Sequence, residues 1–235
     1  MVRFKNIVIL TGAGISAESG VKTFRDNDGL WENHHIEDVA TPEAFARDPH
    51  LVHNFYNERR AQLRAVKPNP AHKALAKLQQ ELPGTVSIIT QNVDDLHERG
   101  GGEDIIHIHG ELTQIRCKAC AAIHTWQGDC TQSTTCPKCD REAVLRPNIV
   151  WFGEMPFFMD TIIDRLASCD LFISVGTSGN VYPAAGFVAN VQEMGRAHTI
   201  EVNLEPSEGS SQFAELRQGK AGELLPVLVD ELLAS

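Results

Sequence analysis

The sequence has few aromatic and few basic residues, and it lacks a long apolar run and a signal peptide. Aromatic residues make up only 6% of its 235 residues, and its 21 Lys and Arg are outnumbered by 31 Asp and Glu, which gives a net charge of −10. Because an acidic surface repels phosphate backbones, we expect no direct nucleic-acid binding. No apolar run approaches the roughly 20 residues that span a bilayer, and strand-like sequence begins with no signal peptide before it. We therefore expect a cytoplasmic protein without a membrane partner.

The length and the turn residues are those of an ordinary globular chain. A chain of 235 residues is long enough for one sizeable domain, or for one domain with a smaller lobe inserted in it. With 18 Gly and 11 Pro, the composition excludes collagen-like and low-complexity proteins. The chain is expected to fold around a core of its own.

Cysteine spacing indicates a metal site. Four of the six cysteines form two Cys-x2-Cys pairs with 15 residues between the pairs, namely Cys117, Cys120, Cys136 and Cys139. Two such pairs can close a tetrahedron around one Zn²⁺, and a metal with four protein ligands and no open position is structural. Disulfides are the weaker alternative in a chain without an export signal. A stand-alone zinc module that binds a partner is the rival use, but the ribbon would fill only about a sixth of the chain.

Apolar runs alternate with helical patterns along most of the chain. Short β-branched runs predict strands at residues 6–10, 86–90, 105–109, 171–175 and 199–202. Apolar stripes at helical spacing predict helices at residues 71–82, 159–167, 184–194 and 225–233. This alternation indicates an α/β fold, a Rossmann-like doubly wound parallel sheet that is covered on both faces.

Two segments interrupt the alternation. Residues 23–63 contain no good strand and predict a loop followed by one or two helices, and residues 111–146 contain the cysteine pairs. We expect both insertions to project from one side of the sheet as a smaller lobe of helices and a zinc ribbon. Residues 1–22, 64–110 and 147–235 then form the Rossmann-like nucleotide-binding domain.

The first predicted strand leads into a glycine turn. Gly12, Gly14 and Ala17 fit the dinucleotide fingerprint, in which the first glycine makes a tight turn and the second lets a pyrophosphate approach backbone N–H groups. A glycine turn without a ligand has the same pattern. Where a dehydrogenase needs an acidic residue, roughly 20 residues later, this chain has a polar loop with two aromatics at residues 23–31. That loop is either a mobile cover over a cofactor or a plain surface loop.

Polar side chains follow the predicted strands at their carboxyl ends, where open parallel sheets bind ligands. Residues 91–94 (QNVD) can hydrogen-bond ribose hydroxyls or a carboxamide, or can instead cap a helix. His109 ends the next strand, where a histidine can act as a general base, although a lone histidine is more often structural. Residues 176–178 and 203–205 follow the last two strands. Together these ends predict one elongated site, long enough for a dinucleotide.

The motifs taken together are recognisable. The sequence resembles the sirtuin family of NAD-dependent protein lysine deacylases in its two cysteine pairs and in residues 12–16 (GAGIS), 90–94 (TQNVD), 107–110 (HIHG), 152–154 (FGE) and 176–178 (GTS). The resemblance runs nearly from end to end, with the motifs in the family's order. The short length resembles that of a bacterial member.

This resemblance implies a reaction. The acyl-lysine carbonyl oxygen would attack C1′ of the nicotinamide ribose of NAD, a co-substrate, and expel nicotinamide. His109 would be the general base that activates a ribose hydroxyl to attack the resulting imidate, with Asn92 as a second catalytic residue. The products would be free lysine, nicotinamide and O-acyl-ADP-ribose, and the partners would be acylated lysine-containing proteins. One structural Zn²⁺ would complete the cofactors.

The resemblance also implies contacts to NAD. Asn92 and Asp94 match positions at the ribose and nicotinamide end, and Phe24 would shield C1′ from water. The full set of implied NAD-binding residues is Gly12, Ala13, Gly14, Ser16, Ala17, Phe24, Arg25, Asp26, Trp31, Gln91, Asn92, Val93, Asp94, Gly176, Thr177, Ser178, Asn203, Leu204, Glu205 and Ala221. The segment that would pair with the substrate backbone as an added strand contains Val150, Phe152, Gly153 and Glu154.

One pair of residues indicates which acyl groups the protein would remove. Tyr56 and Arg59 are three residues apart in a helical stretch and so share a face, although both could be ordinary surface residues. In the sirtuin branch that removes negatively charged acyl groups, a Tyr-x-x-Arg pair at this place holds the succinyl or malonyl carboxylate. Ala40 matches the small residue that makes room for the acyl group in that branch. Arg60 adjoins Arg59 and could compete as the carboxylate partner.

Three rival functions remain open at this point. An NAD-dependent dehydrogenase would reduce the nicotinamide ring, whereas a deacylase releases nicotinamide. A protein ADP-ribosyltransferase shares the release of nicotinamide, but adds mass to its target where a deacylase removes mass. A zinc- and nucleotide-binding module without catalysis is the third alternative, and it has no turnover to lose.

Overall fold

The computed structural model describes residues 4–22, 30–31 and 34–234. The strands are β1 (Asn6–Thr11), β2 (Leu30–Trp31), β3 (His34–His35), β4 (Thr85–Thr90), β5 (Ile106–His107), β6 (Gly110–Cys117), β7 (Ile123–Thr125), β8 (Leu145–Ile149), β9 (Leu171–Val175), β10 (His198–Asn203) and β11 (Glu215–Gln218). The helices are α1 (Ala13–Ala17), α2 (Ile36–Val39), α3 (Pro42–Arg47), α4 (Pro49–Ala65), α5 (Pro70–Glu81), α6 (Leu96–Arg99), α7 (Met159–Ser168), α8 (Phe187–Met194) and α9 (Ala221–Ala234). Across these ranges, no helix combines the length and apolar character that a bilayer span requires.

Six strands of the described residues form a parallel sheet in the order β11-β10-β9-β1-β4-β5. When these six strands are numbered 1 to 6 along the chain and read from the β5 edge, the order is 3-2-1-4-5-6, as in the doubly wound nucleotide-binding fold. β1 lies at the centre, where Ile9 is in register with Ile88 of β4 and with Ile173 of β9. The predicted Rossmann-like α/β fold is therefore confirmed.

Helices cover both faces of this sheet because successive side chains of a strand point to opposite faces. Ile9 packs into a core with Leu75 of α5 and Leu225 of α9. Val8, its neighbour along β1, packs into a second core with Phe187 of α8. The four predicted helices correspond to α5, α7, α8 and α9, although the segment predicted to start α8 is a 3₁₀ turn, Ala184–Gly186.

Two strands differ from their predictions. The strand predicted over residues 105–109 is only two residues long, because the chain turns at Gly110, whose φ of +80° belongs to the left-handed region. β11 was not predicted, because Leu216 is its only apolar residue and it lies at the edge of the sheet. Edge strands need less apolar sequence than buried ones.

The first insertion contains more structure than one or two helices. Its described part holds the short pair β2–β3 and the three helices α2, α3 and α4. Thr41 Oγ1 accepts a hydrogen bond from Ala44 N at 3.0 Å, and Asp48 Oδ1 accepts one from Leu51 N at 2.9 Å. Each capping residue precedes a proline at the first helical position, and these Thr-Pro and Asp-Pro steps are the signals that separate α3 from α4.

The second insertion forms an antiparallel sheet in the order β7-β6-β8. It is tied to α4 by Asn57, whose Nδ2 donates to Cys130 O at 3.0 Å and whose Oδ1 accepts from Cys130 N at 2.9 Å. The two insertions thus meet in one small lobe. The domain bounds remain a prediction. A boundary was expected after residue 146, and β8 begins before that residue and ends after it.

Candidate active site

The turns that follow β1, β4 and β9 meet at the carboxyl edge of the sheet. Gln91 N donates to Thr11 O at 2.9 Å, and Gly12 N donates to Val175 O at 2.9 Å. At the next strand, Asn203 Nδ2 donates to a carbonyl of the β9 turn. Residues that are far apart in sequence therefore line one edge, as the predicted elongated site requires.

The glycines of the first turn are required by packing between two turns. A Cβ on Gly12 would lie 2.8 Å from Gly176 O, and one on Gly14 would lie 2.7 Å from Gly176 Cα. The N–H groups of Gly12 and Gly14 donate to Val175 O and Gly176 O. These two N–H groups therefore already have partners, and the approach of a pyrophosphate to other backbone N–H groups at the start of α1 stays a prediction. Ala13 starts α1 and is the residue of this turn whose N–H can be offered to a phosphate.

The last position of the fingerprint is occupied by Ala17. Ala17 ends α1 and is exposed, so it does not pack the helix against the sheet. Ile15 does so, being fully buried in the core that contains β1.

A buried hydrogen-bond chain joins Asn92, Ser16 and Asp94. Asn92 Nδ2 donates to Ser16 Oγ at 3.0 Å and to Gly12 O at 3.1 Å, and Ser16 Oγ donates to Asp94 Oδ2 at 3.0 Å. The other oxygen of Asp94 accepts from Leu96 N at 3.1 Å, at the start of α6. Asp94 therefore serves as a cap, the alternative considered from the sequence, and also fixes the hydroxyl that orients Asn92.

Burial raises the pKa of Asp94 to about 6, although hydrogen bonds from Leu96 N–H and Ser16 favour its charged form. A carboxyl group with a strongly shifted pKa at a strand end is typical of functional sites. Gln91 and Val93 contribute to the site through backbone atoms. The carbonyl of Val93, for example, accepts a hydrogen bond from Leu112 N at 2.8 Å.

His109 has a defined protonation pattern. Its Nδ1 lies 3.0 Å from Gln91 O. A carbonyl oxygen only accepts, so Nδ1 carries the proton and Nε2 of the neutral ring keeps its lone pair. Burial lowers the pKa of His109 below its ordinary value of 6.5, against the opposing effect of the Gln91 bond. The ring is therefore neutral at pH 7 and able to accept a proton at Nε2, as a general base must.

His107 is a site residue to which the sequence analysis gave no role. Its Nδ1 donates to Asn92 O at 3.0 Å, and its Nε2 donates to Glu98 Oε1 at 2.7 Å. Burial disfavours its charged form, but the bond to Glu98 prevails and raises the pKa of His107. The imidazole thereby holds the backbone that presents the Asn92 amide. The alternation in the HIHG motif places His107 beside His109, and this was the available signal.

The residues expected around adenosine lie together after β9 and β10. Asn203 Nδ2 donates to Thr177 O at 2.7 Å, and Ser178 Oγ accepts from Asn180 N at 3.3 Å. Leu204 and Glu205 follow Asn203 and are exposed. Ala221 is the first residue of α9 and its methyl group is buried in the core, so only its backbone faces outwards from this core.

Four of the expected NAD contacts cannot be placed. Phe24, Arg25 and Asp26 lie outside the described residues, and so does the side chain of Trp31, whose backbone belongs to β2.

The four cysteine sulfurs form one cluster, in which all lie within 4.8 Å of one another. Sγ of Cys117 lies 3.7 Å from that of Cys139, and Sγ of Cys120 lies 3.8 Å from that of Cys136. A tetrahedral zinc ion with Zn–S bonds of about 2.3 Å separates its sulfurs by about 3.8 Å. The donor set and its spacing fit one structural Zn²⁺, as the sequence predicted.

Tyr56 and Arg59 lie on the buried face of α4. Tyr56 is fully buried and Arg59 is 7% exposed, which excludes the alternative that they are ordinary surface residues. The guanidinium carbon of Arg59 lies 4.3 Å from the ring centroid of Phe55. The hydroxyl of Tyr56 accepts a hydrogen bond from Trp151 Nε1 at 2.9 Å. Trp151 was also missed from the sequence, although it is one of only three tryptophans.

Arg60 is directed away from this pair. Its Nε donates to Leu112 O at 2.8 Å and its Nη1 donates to Gly128 O at 3.1 Å, both in the zinc-binding segment. It therefore does not compete with Arg59 for an acyl carboxylate. Ala40 is buried beside α4 and accepts, through its carbonyl, a hydrogen bond from Phe152 N at 3.0 Å.

The segment expected to pair with substrate leaves the small lobe next to His109. Val150 N donates to His109 O at 2.9 Å. Phe152 is 51% exposed, and Gly153 has a φ of +87°. Glu154 is held by Arg146, with Nη1 to Oε1 at 2.6 Å, so this carboxylate anchors the segment.

Comparison with known proteins assigns the family. A model of the Sir2 family matches residues 12–183. The chain belongs to the Sir2 family. Over 233 residues it is 58% identical to an NAD-dependent protein deacylase of Vibrio vulnificus, covering 98% of this chain and 95% of that protein. Over 235 residues it is 55% identical to a protein of the same name from Pasteurella multocida, covering 99% and 100% of the two.

Solved structures of Sir2 proteins have the same fold. The crystal structure of a Sir2 homologue in complex with NAD matches with a TM-score of 0.89 and 39% identity, over 98% of this chain and 90% of that one. A mutant Sir2 homologue in complex with ADP-ribose matches with a TM-score of 0.90 and 38% identity, over 98% and 93% of the chains. This Sir2 protein therefore has the sheet and the small lobe of its family.

Proposed function

We propose that this Sir2 protein is an NAD-dependent lysine deacylase that removes acetyl groups, and succinyl or malonyl groups, from protein lysines. The neutral His109 at the carboxyl edge of the sheet is the observation that carries the proposal, because deacylation needs a base there and hydride transfer does not. The names of the relatives in Vibrio vulnificus and Pasteurella multocida support the same activity.

In this proposal NAD supplies the electrophilic ribose carbon and the ribose hydroxyls that receive the acyl group. His109 accepts the proton of a ribose hydroxyl at Nε2, while its Nδ1–H stays on Gln91 O and fixes the ring. The proton would leave with the lysine amine as its bond to the acyl carbon breaks, and one water molecule would then add to complete the O-acyl-ADP-ribose. The base must be positioned before substrate arrives, and the Gln91 carbonyl does this.

The chain from Asn92 through Ser16 to Asp94 would orient the nicotinamide ribose. Asn92 is held at both ends, by its side chain on Ser16 and Gly12 and by its carbonyl on His107. A side chain locked in this way presents its remaining amide oxygen at low entropic cost. We propose the remaining predicted NAD contacts, including those of Phe24, Arg25 and Asp26, on the family resemblance alone.

The proposal is tested by a mass balance on purified protein, NAD and an acyl-lysine peptide. We expect one nicotinamide released for each acyl group lost, with the peptide losing the mass of the acyl group. Reduced nicotinamide would indicate a dehydrogenase instead, and a gain of ADP-ribose on the peptide would indicate a transferase. Either product as the main one would contradict the deacylase.

Acyl selectivity is proposed to reside in Tyr56 and Arg59. A buried guanidinium and a phenol hydroxyl can bind one carboxylate by charge-assisted hydrogen bonds. Arg59 is fixed on the ring of Phe55, which keeps its planar group in place. Arg59 already has an exposed carboxylate partner, with its Nη2 3.3 Å from Glu58 Oε2. A succinyl or malonyl carboxylate would add a buried partner for this charge, whereas an acetyl group would not.

Replacing Arg59 with methionine keeps the length of the side chain but removes the charge. We expect the ratio of desuccinylation to deacetylation to fall by about 10- to 150-fold, from the loss of a charge-assisted hydrogen bond worth about 1.5–3 kcal/mol. The measurement is kcat/KM on matched succinyl and acetyl peptides. Arg64→Met on the exposed side of the same helix is the control, and its ratio should match that of the wild type. An unchanged ratio in Arg59→Met would remove Arg59 from the acyl site.

The pH dependence of the reaction follows from His109. A general base works in its deprotonated form, and burial lowers the pKa of His109 below 6.5. Activity should therefore fall on acidification with a midpoint below pH 6.5, in the range where Asp94, with its pKa raised to about 6, also gains a proton. The check is the profile of kcat/KM against pH, and a midpoint on the alkaline side of neutrality would contradict this assignment.

Protein substrates follow from the names of the relatives, whereas acylated lysine as the modified group belongs to this proposal. A cytoplasmic location is proposed as well. None of the six cysteines forms a disulfide, which is usual in reducing compartments.

A further inference from the structure

The hydrogen bond between Trp151 and Tyr56 has a fixed direction. Trp151 Nε1 and Tyr56 Oη are 2.9 Å apart, and the two side chains are among the most buried in the small lobe, at 2% and 0% exposure. An indole N–H can only donate, whereas a phenol can donate and accept. The oxygen of Tyr56 is therefore the acceptor in this bond, and its proton must be directed elsewhere.

Tyr56 keeps that proton under all ordinary conditions. Burial raises the pKa of Tyr56, and this effect outweighs the opposing ones of the Trp151 hydrogen bond and the positive charges of Arg146 and Arg59. Tyr56 and Arg59 both pack on Phe55, with the Tyr56 ring centroid 5.1 Å and the Arg59 guanidinium carbon 4.3 Å from the centroid of its ring. The hydroxyl is thus a permanent donor beside a guanidinium.

The indole ring of Trp151 packs against two neighbouring side chains. The guanidinium carbon of Arg146 lies 3.3 Å from the Trp151 ring centroid, and the ring of Phe45 lies 5.3 Å away. Glu154 accepts from Arg146 Nη2 at 2.9 Å and from the backbone N–H of Trp151 at 2.9 Å. These contacts leave the indole one orientation, in which its N–H meets Tyr56.

We propose that Trp151 is a positioning residue that sets the preference for acyl groups bearing a carboxylate. By occupying the oxygen of Tyr56 as a donor, it directs the phenol proton to the acyl carboxylate beside Arg59. A hydroxyl that accepts one hydrogen bond also becomes a stronger donor of another. The inference rests on the proposed Tyr56–Arg59 site and adds a residue that does not itself contact the substrate.

The test replaces Trp151 with phenylalanine, which keeps an aromatic ring under Arg146 and removes the N–H. We expect the KM for a succinyl-lysine peptide to rise and the ratio of desuccinylation to deacetylation to fall by about three- to tenfold, the effect of one neutral hydrogen bond. Trp126→Phe is the matched control, because the Trp126 indole donates to Asp129 O in the zinc-binding segment. Its ratio should equal that of the wild type.

A double-variant cycle separates positioning from packing. Once Tyr56 is phenylalanine, there is no hydroxyl to orient, so Trp151→Phe should change the ratio little further. A residue that is merely structural would lower the rates on both acyl groups equally and would act additively with Tyr56→Phe. Either of those results would overturn the inference.

A second measurement needs no variant of Trp151. The indole ¹⁵N–¹H resonance that persists in Trp126→Phe and Trp31→Phe belongs to Trp151. We expect a succinyl peptide to shift this resonance more than a matched acetyl peptide, because the carboxylate strengthens the hydrogen bonds through Tyr56. Equal shifts would contradict the inference. If the wild type removes acetyl but not succinyl groups, the anionic acyl site itself fails; if it removes both and Trp151→Phe keeps the ratio, only the role of Trp151 fails.

Discussion

Replacing His109 with tyrosine is expected to lower the kcat of deacylation by about 10²- to 10⁴-fold, the usual contribution of a general base. His109 is the group at the carboxyl edge with a free imidazole lone pair, because its Nδ1–H is committed to Gln91 O. Without that lone pair, no group at this position takes the proton of the ribose hydroxyl. The measurement is the steady-state rate on an acetyl-lysine peptide with saturating NAD.

Two controls show whether the loss is chemical. His50→Tyr makes the same change at an exposed position of α4 and should leave the rate as it is. His109→Ala should be partly rescued by added imidazole, which a packing defect would not be. Zinc content should stay at that of the wild type in both His109 variants. Full activity in His109→Tyr would remove this residue from the reaction.

Replacing Cys117 with serine is expected to abolish zinc binding and unfold the sheet of β6, β7 and β8. The four sulfurs lie within 4.8 Å of one another, so removing one opens the tetrahedron. Zinc in small structural sites contributes about 10–16 kcal/mol in apparent free energy, as much as the whole stability of a typical domain. The core of this sheet is small and includes the cysteines themselves, with Ile115 and Leu145.

The measurements are zinc per chain by elemental analysis and thermal unfolding by circular dichroism. We expect the bound zinc to fall from one per chain to nearly none, with a lower melting temperature and loss of deacylation. Cys169→Ser is the control, since Cys169 lies in the core under α7 and outside the cluster. A Cys117→Ser protein that retains stoichiometric zinc and the wild-type melting temperature would contradict a four-cysteine site.

The central sheet was predictable because its buried strands are made of apolar runs. β1, β4, β9 and β10 each carry such a run, and their alternation with helices predicted a parallel sheet. β11 lies at the edge and consists of Glu, Leu, Arg and Gln, so it carries no apolar run. The sequence does indicate that α3 and α4 are separate helices, because Thr41-Pro42 and Asp48-Pro49 are each typical of a helix start.

The site was predictable in its residue types and less so in its contacts. The spacing of the cysteines determines the zinc cluster, because ligand geometry follows from two short Cys-x2-Cys turns. The tautomer of His109 depends on the carbonyl of Gln91, and no pattern in the sequence places that carbonyl. The N–H groups of Gly12 and Gly14 bond carbonyls at the end of β9 and in the turn after it, a contact that the glycine pattern does not indicate. Backbone contacts between distant turns depend on the register of the sheet.

Trp151 shows that contacts between distant side chains could not be predicted from the sequence either. The sequence places it between Val150 and Phe152, in the segment assigned to substrate pairing. Its contact with Tyr56 spans 95 positions of the chain and depends on how α4 packs against the end of β8. Only the folded chain shows which donor meets which acceptor.

The most direct test of the account is mass spectrometry of matched acetyl-lysine and succinyl-lysine peptides incubated with the purified protein, with and without NAD. The account predicts loss of both acyl groups only with NAD, each matched by its own O-acyl-ADP-ribose. It also predicts that His109→Tyr forms neither product. Peptides that remain acylated while NAD binds, or acyl loss that proceeds without NAD, would contradict it.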